Sequence, residues 1–120
     1  MIQQPVQRRR TFGGVSIPLS GIADIRKAVK GATVNDVLVA CVSGGLRRWV
    51  EDRGGDLRQL RVSMPVNMRS RHEKLRMDNK FAAVLLPLPV AADPGRRISA
   101  TKRAMDRLKR SIEPVFTYVT

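Results

Sequence analysis

Residues 31–50, GATVNDVLVACVSGGLRRWV, decide how the rest of the chain is read. Thr33 stands where a helix begins, and its hydroxyl can accept a backbone N–H from the first turn. Asp36 follows three residues later, the spacing of a capping box, and its carboxylate meets the positive end of the helix dipole. Val34, Val37, Leu38, Val39, Ala40, Cys41 and Val42 are apolar and point to every side. A helix of that kind is expected to be buried over most of its surface, with a solvated face only from Arg47 onward. Asn35 and Asp36 are its polar exceptions, so they are the first candidates for chemistry. Gly44 and Gly45 each cost a helix interior about 1 kcal/mol relative to Ala. Their presence predicts that another element packs closely on that turn.

Upstream of this helix, Thr11 to Leu19 reads as a strand, because Val15, Ile17 and Leu19 alternate with Ser16 and Pro18. Ser20 is the expected cap of a short helix over Gly21 to Lys30 with an Ile22, Ile25, Val29 stripe, stopped by Gly31. Downstream, the central helix is expected to close near Asp52 in the turn Arg53 to Asp56. Leu60 to Val66 reads as a strand with Leu60, Val62, Met64 and Val66 on one face. A basic loop over 67–78 follows. Asn79 to Val90 reads as a strand whose apolar residues run on without alternation, which predicts cover on both faces. Asp93-Pro94 opens a helix expected to reach Ser111, with an apolar stripe of Ile98, Thr101, Met105, Leu108 and Ile112. Residues 113–120 read as strand-like, and a stop there suggests a truncated chain.

With 120 residues there is room for one domain with a modest core. The net charge is +13 while aromatic residues make up only 4%. That charge favours an anionic partner: nucleic acid, an anionic membrane or an acidic ligand. Nucleic acid is not expected, because the aromatics are not interleaved with the basic runs and no helix-turn-helix or zinc-finger spacing occurs. The lone cysteine, Cys41, allows no internal disulfide and reads as a small core residue in a reducing cytoplasm. His72 has no placed partner for a catalytic triad, and one His with one Cys makes no metal site. No apolar run approaches the ~20 residues of a membrane span.

The residues 31–54 (GATVNDVLVACVSGGLRRWVEDRG) resemble the segment carrying the Asn-Asp motif of bacterial wax ester synthase/acyl-CoA:diacylglycerol acyltransferases. RVSMPVNMRS (61–70) is similar to the Pro-Val-x-x-Arg strand of that family. MDNKFAAVLLPLPV (77–90) and DPGRRISATKRAMDRLK (93–109) are similar to its Gly-Asn strand and following basic helix. Together these matches span residues 12–110 in family order. The resemblance implies an α/β, chloramphenicol-acetyltransferase-like (condensation-domain-like) fold, of which this chain would be a partial C-terminal lobe with a mixed sheet flanked by helices. Residues 1–10 would be a flexible lead and 11–120 the lobe.

The resemblance also implies acyl transfer from acyl-CoA to a diacylglycerol or fatty-alcohol hydroxyl. The general base would be the second His of a His-His-x-x-x-Asp-Gly motif on an N-terminal lobe. This sequence has no His-His pair, and Asp78 stands where the family has Gly before its Asn. The chain is therefore expected to be inactive without that lobe. By position, Asn35, Asp36, Pro65, Asn67, Arg69 and Asn79 match motif residues that would shape the active site. For Asp36 the capping reading stands beside that one. Acyl-CoA would be a co-substrate, with no cofactor and no metal. Arg96, Arg97, Lys102, Arg103, Arg107 and Arg110 are candidates for contact with anionic lipid or the acidic parts of CoA. The expected location is the cytoplasm, peripheral on the inner membrane or on lipid droplets. A non-catalytic module that pairs with a full-length acyltransferase, or a basic nucleic-acid binder, are the alternatives.

Overall fold

The computed structural model describes residues 5, 7–67 and 81–119, with the side chains of 67, 81–82 and 112–119 outside the description. The elements run α1 (Leu19–Ala28), α2 (Val34–Glu51), β1 (Leu60–Asn67), β2 (Phe81–Leu88) and α3 (Pro94–Val119). It is a small α/β unit of three helices and two strands. The basic loop from Met68, with Arg69, His72 and Asp78, and the expected strand start at Asn79 lie outside the described residues, while Asn67, expected in the loop, ends β1.

β1 and β2 pair antiparallel, in the register Leu60 with Leu88, Val62 with Leu86 and Met64 with Val84. This corrects the expected mixed sheet: the described sheet has two strands and no parallel pair. Side chains in an antiparallel pair stand directly opposite one another, so those three pairs share one face. That face meets α3. Leu86, Leu88, Ala104 and Met105 form the buried cluster, with Val39, Leu60, Val62, Met64 and Leu108 packed around it.

The expected faces of β1 are found, whereas those of β2 need correction. Leu85, on the face away from α3, is 69% exposed, so the apolar run does not mean cover on both sides. Residues 11–18 form no strand either. They are exposed and outside any regular element, and Leu19 already belongs to α1. Alternation makes a chain competent for a sheet, but no strand lies beside this one among the described residues.

α1 begins two residues earlier than expected. Pro18 is its N-cap, with no side-chain capping bond, and Ser20 lies inside the helix. Gly31 ends the connection at φ +80°, where a Cβ would be strained. From the last turn of α1, Arg26 Nε donates to the Ala32 carbonyl at 2.8 Å and holds the approach to α2. At the other end of the chain, α3 continues to Val119 where a strand-like tail was expected. Its start is as predicted: the Asp93 carboxylate accepts the Arg96 N–H at 2.8 Å.

α2 departs most from its sequence reading. It packs against α3 and α1, but on one face only. Val37, Ala40, Ser43 and Val50 are buried, while Leu38, Cys41, Val42 and Trp49 on the opposite face are exposed. Cys41 is thus not a core residue. The physical reason is that the run Val34 to Val42, apolar on every side, needs cover on two sides, and the described chain supplies one.

Candidate functional site

The start of α2 is built as its residues require. The Asp36 N–H donates to the Thr33 hydroxyl at 3.1 Å, and the Thr33 N–H donates to Asp36 Oδ2 at 2.9 Å. This reciprocal capping box satisfies two donors that a helix start otherwise leaves orphaned. Asp36 is 1% exposed, and its Oδ1 has no hydrogen-bond partner among the described atoms. A buried acceptor left unpaired costs about 1–3 kcal/mol. Its neighbour Asn35 is exposed.

The remaining motif positions fall at the far end of β1. Pro65 is exposed and pairs with Ala83, and Asn67 is the last residue of the strand, opposite Phe81. Arg69 and Asn79 lie outside the described residues. Both bonds made by the Asp36 carboxylate and N–H side stay within its own turn. No described hydrogen bond joins that turn to β1.

A second polar arrangement was not read from the sequence. The segment 89–92, between β2 and α3, is tied to α2 by three side chains. Ser43 Oγ donates to the Pro89 carbonyl. Arg47 Nη1 donates to the Val90 carbonyl at 2.6 Å. Arg97 reaches back from α3, with Nη1 donating to Ala91 and Ala92 at 2.8 and 3.2 Å and Nε donating to Ala40 at 3.1 Å. Ala40 lies mid-helix in α2, so a single guanidinium bridges α2, α3 and the connection. An ideal Cβ on Gly44 would lie 2.6 Å from the Arg97 Cζ. This is the close approach that a glycine there predicts. Gly45 has nothing within 4 Å and no such role. Ser43, between Val42 and Gly44, was the signal in the sequence that the middle of this helix held a buried polar contact.

The basic helix divides its cations. Arg97 is turned inward as described. Lys102 Nζ pairs with Asp106 Oδ2 at 2.5 Å and packs against Gly31, where an ideal Cβ would be 3.0 Å from its Cε. Hydrogen bonding from Lys102 holds the Asp106 carboxyl below its ordinary value; burial opposes this, and the charges of Lys102, Lys109 and Arg110 add to it. Arg96, Arg103, Arg107 and Arg110 are exposed. They recur at intervals of seven, four and three residues, which places them in one stripe. A shallow cleft of about 260 Å³ opens between β2 and α3, lined by Leu85, Leu86, Pro87, Leu108 and, at its rim, Arg107 and Ser111. Among the described residues no group of three or more His, Cys, Asp or Glu is placed to hold a metal, and no helix is long and apolar enough to cross a membrane.

Residues 77–120 match the family model described as the WS/DGAT C-terminal domain. A Mycobacterium tuberculosis H37Rv protein provisionally named a diacylglycerol O-acyltransferase is 32% identical over 110 residues, covering 90% of this chain and 23% of its own length. A second protein of that strain, with the same provisional name, is 33% identical over 119 residues, covering 96% of this chain and 24% of its own. Wax ester synthase/diacylglycerol acyltransferase 5 of Arabidopsis thaliana is 27% identical over 131 residues, covering 87% and 26%. The chain thus spans about a quarter of the length of these relatives. No solved structure matches it.

Proposed function

This chain belongs to the wax ester synthase/diacylglycerol acyltransferase (WS/DGAT) family, and from that premise we propose that it is part of the C-terminal lobe of an O-acyltransferase. The observation that carries the reading is the similarity to proteins provisionally named diacylglycerol O-acyltransferases over nine-tenths of the chain. The lobe would adopt a chloramphenicol-acetyltransferase-like fold when complete.

In the proposed reaction a diacylglycerol or fatty-alcohol hydroxyl loses its proton to a histidine base. Its oxygen then bonds to the thioester carbonyl carbon of acyl-CoA. The C–S bond breaks, and the CoA sulfur leaves with the proton the base had taken. This is general-base catalysis combined with positioning. The base belongs to a His-His-x-x-x-Asp-Gly lobe, and this sequence contains a single His. Acting alone, the chain is inactive. Its contribution is to shape one wall of the site, through Asn35 and Asp36 at the start of α2 and through Pro65, Asn67, Arg69 and Asn79 around the β1–β2 connection. Acyl-CoA is a co-substrate and no cofactor is needed.

The exposed stripe Arg96, Arg103, Arg107 and Arg110 is offered to anionic lipid headgroups or to the phosphates of CoA, at an inner-membrane or lipid-droplet surface. Arg97 and Lys102 have internal partners and contribute less.

The test is reconstitution. The chain is produced together with a lobe bearing the His-His-x-x-x-Asp-Gly motif, and CoA release is followed with acyl-CoA and diacylglycerol. Turnover by the pair and none by either part is the expected result. Turnover by the 120-residue chain alone overturns the inactive-alone reading. Stable pairing without turnover favours a non-catalytic assembly module.

A further inference from the structure

From the mismatch between the apolar residues on every side of the first half of α2, Val34 to Val42, and their one-sided cover, we infer that the open face of α2 is an interface for the rest of a full-length family member. The occupant is the roughly three-quarters of such a protein that this chain does not span. The inference rests on the reading above, that the chain is one part of a larger acyltransferase.

Leu38 is 42%, Val42 57% and Trp49 45% exposed, and Cys41 is exposed beside them. These positions recur at three-, one- and seven-residue steps, so they form one stripe along α2, with the exposed Arg48 at its edge. From Leu38 to Trp49 it is about 16 Å long at 1.5 Å per residue. Gly45 falls within it and has nothing within 4 Å of an ideal Cβ, so the stripe contains a shallow depression. Arg53 lies over the Trp49 ring, 3.9 Å from its centroid, and closes one end. Asn35, the exposed half of the Asn-Asp pair, lies at the other end. An interface on this face would therefore hold Asn35 at the junction of the two parts.

The test uses Val42→Arg, an exposed substitution expected to leave the circular dichroism and melting of the chain unchanged. The wild-type chain and the variant are each co-produced with the remaining part of a full-length relative carrying the His-His-x-x-x-Asp-Gly motif. The expected result is at least a tenfold weaker association for Val42→Arg. As a second reading, independent of the variant, the Cys41 thiol should react with a maleimide at least tenfold more slowly in the wild-type complex than in the free chain. Undiminished association of the variant, or an unprotected Cys41 in the complex, overturns the inference. So does concentration-dependent dimerisation, or binding to phosphatidylserine vesicles, that is abolished by Val42→Arg, because a second copy or a membrane would then be the occupant. A wild-type complex that forms through this face but shows no CoA release defeats the acyltransferase reading and leaves the interface standing.

Discussion

Gly44 and Arg97 are a pair that neither residue explains alone. The guanidinium lies where a Gly44 side chain would be, and it is fixed there by bonds to Ala40, Ala91 and Ala92. In a helix interior Gly→Ala is worth about 1 kcal/mol of stability. Here the new methyl displaces the guanidinium and breaks charge-assisted bonds worth about 1.5–3 kcal/mol each before allowance for their partial exposure. Gly44→Ala should therefore destabilise the chain by about 1–2 kcal/mol in urea unfolding. In an Arg97→Ala background the same change should stabilise it by about 1 kcal/mol. This reversal of sign in a double-mutant cycle measures the coupling, and additivity of the two changes would refute it. Asp36 shows a different residue-scale lesson. Its capping role is complete in the described contacts, yet one oxygen remains unpaired and buried. Capping thus accounts for Oδ2 and the backbone but not for Oδ1.

At the scale of elements, α3 carries both an internal and an external set of cations. Lys102 and Asp106 form an i,i+4 pair on its flank. Hydrogen bonding from Lys102 lowers the Asp106 carboxyl beneath its ordinary 3.8. A carboxylate whose native value is depressed adds stability above its unfolded value and loses it as pH falls through the native one. Thermal melts of wild type should therefore exceed those of Asp106→Asn near neutrality. The difference should shrink as pH drops below 3.8 and vanish once the native carboxyl is protonated. A difference that persists in strong acid would show that Asp106 acts through something other than its charge. The strands make a further point. β1 alternates in burial as its sequence does, but β2 is apolar on both sides and covered on one. Continuous apolar runs report what a strand tolerates, not which faces the chain itself covers.

For the whole molecule the governing quantity is a net charge of +13. Charge of one sign favours anionic surfaces, and the contribution is screened by salt within about 10 Å at 0.1 M. The chain should float with phosphatidylserine vesicles at low ionic strength and dissociate as salt rises. Replacing Arg103, Arg107 and Arg110 together with Gln should weaken this binding by about 1 kcal/mol per residue. No flotation at low salt would count against the basic stripe as a lipid contact, and equal loss on replacing other exposed cations would reduce it to net charge alone.

Much of the local structure was present in the sequence. Thr33 and Asp36 specified the start of α2, Asp93-Pro94 that of α3, and the alternation from Leu60 to Val66 the faces of β1. Each depends on neighbours within a few residues, so short spacing carries the information. The likeness of residues 31–54 to an Asn-Asp segment also located the family. The tertiary structure decided what local spacing cannot encode. It turned Arg97 and Lys102 inward while leaving Arg96, Arg103, Arg107 and Arg110 outside. It paired the two strands antiparallel, left residues 11–18 without a strand partner, and chose which side of the evenly apolar first half of α2 would be covered. Those outcomes depend on contacts between residues tens of positions apart, as when Arg97 finds the carbonyl of Ala40. Hydrophobicity is non-directional, so the first half of α2 could demand cover without naming the side that would receive it.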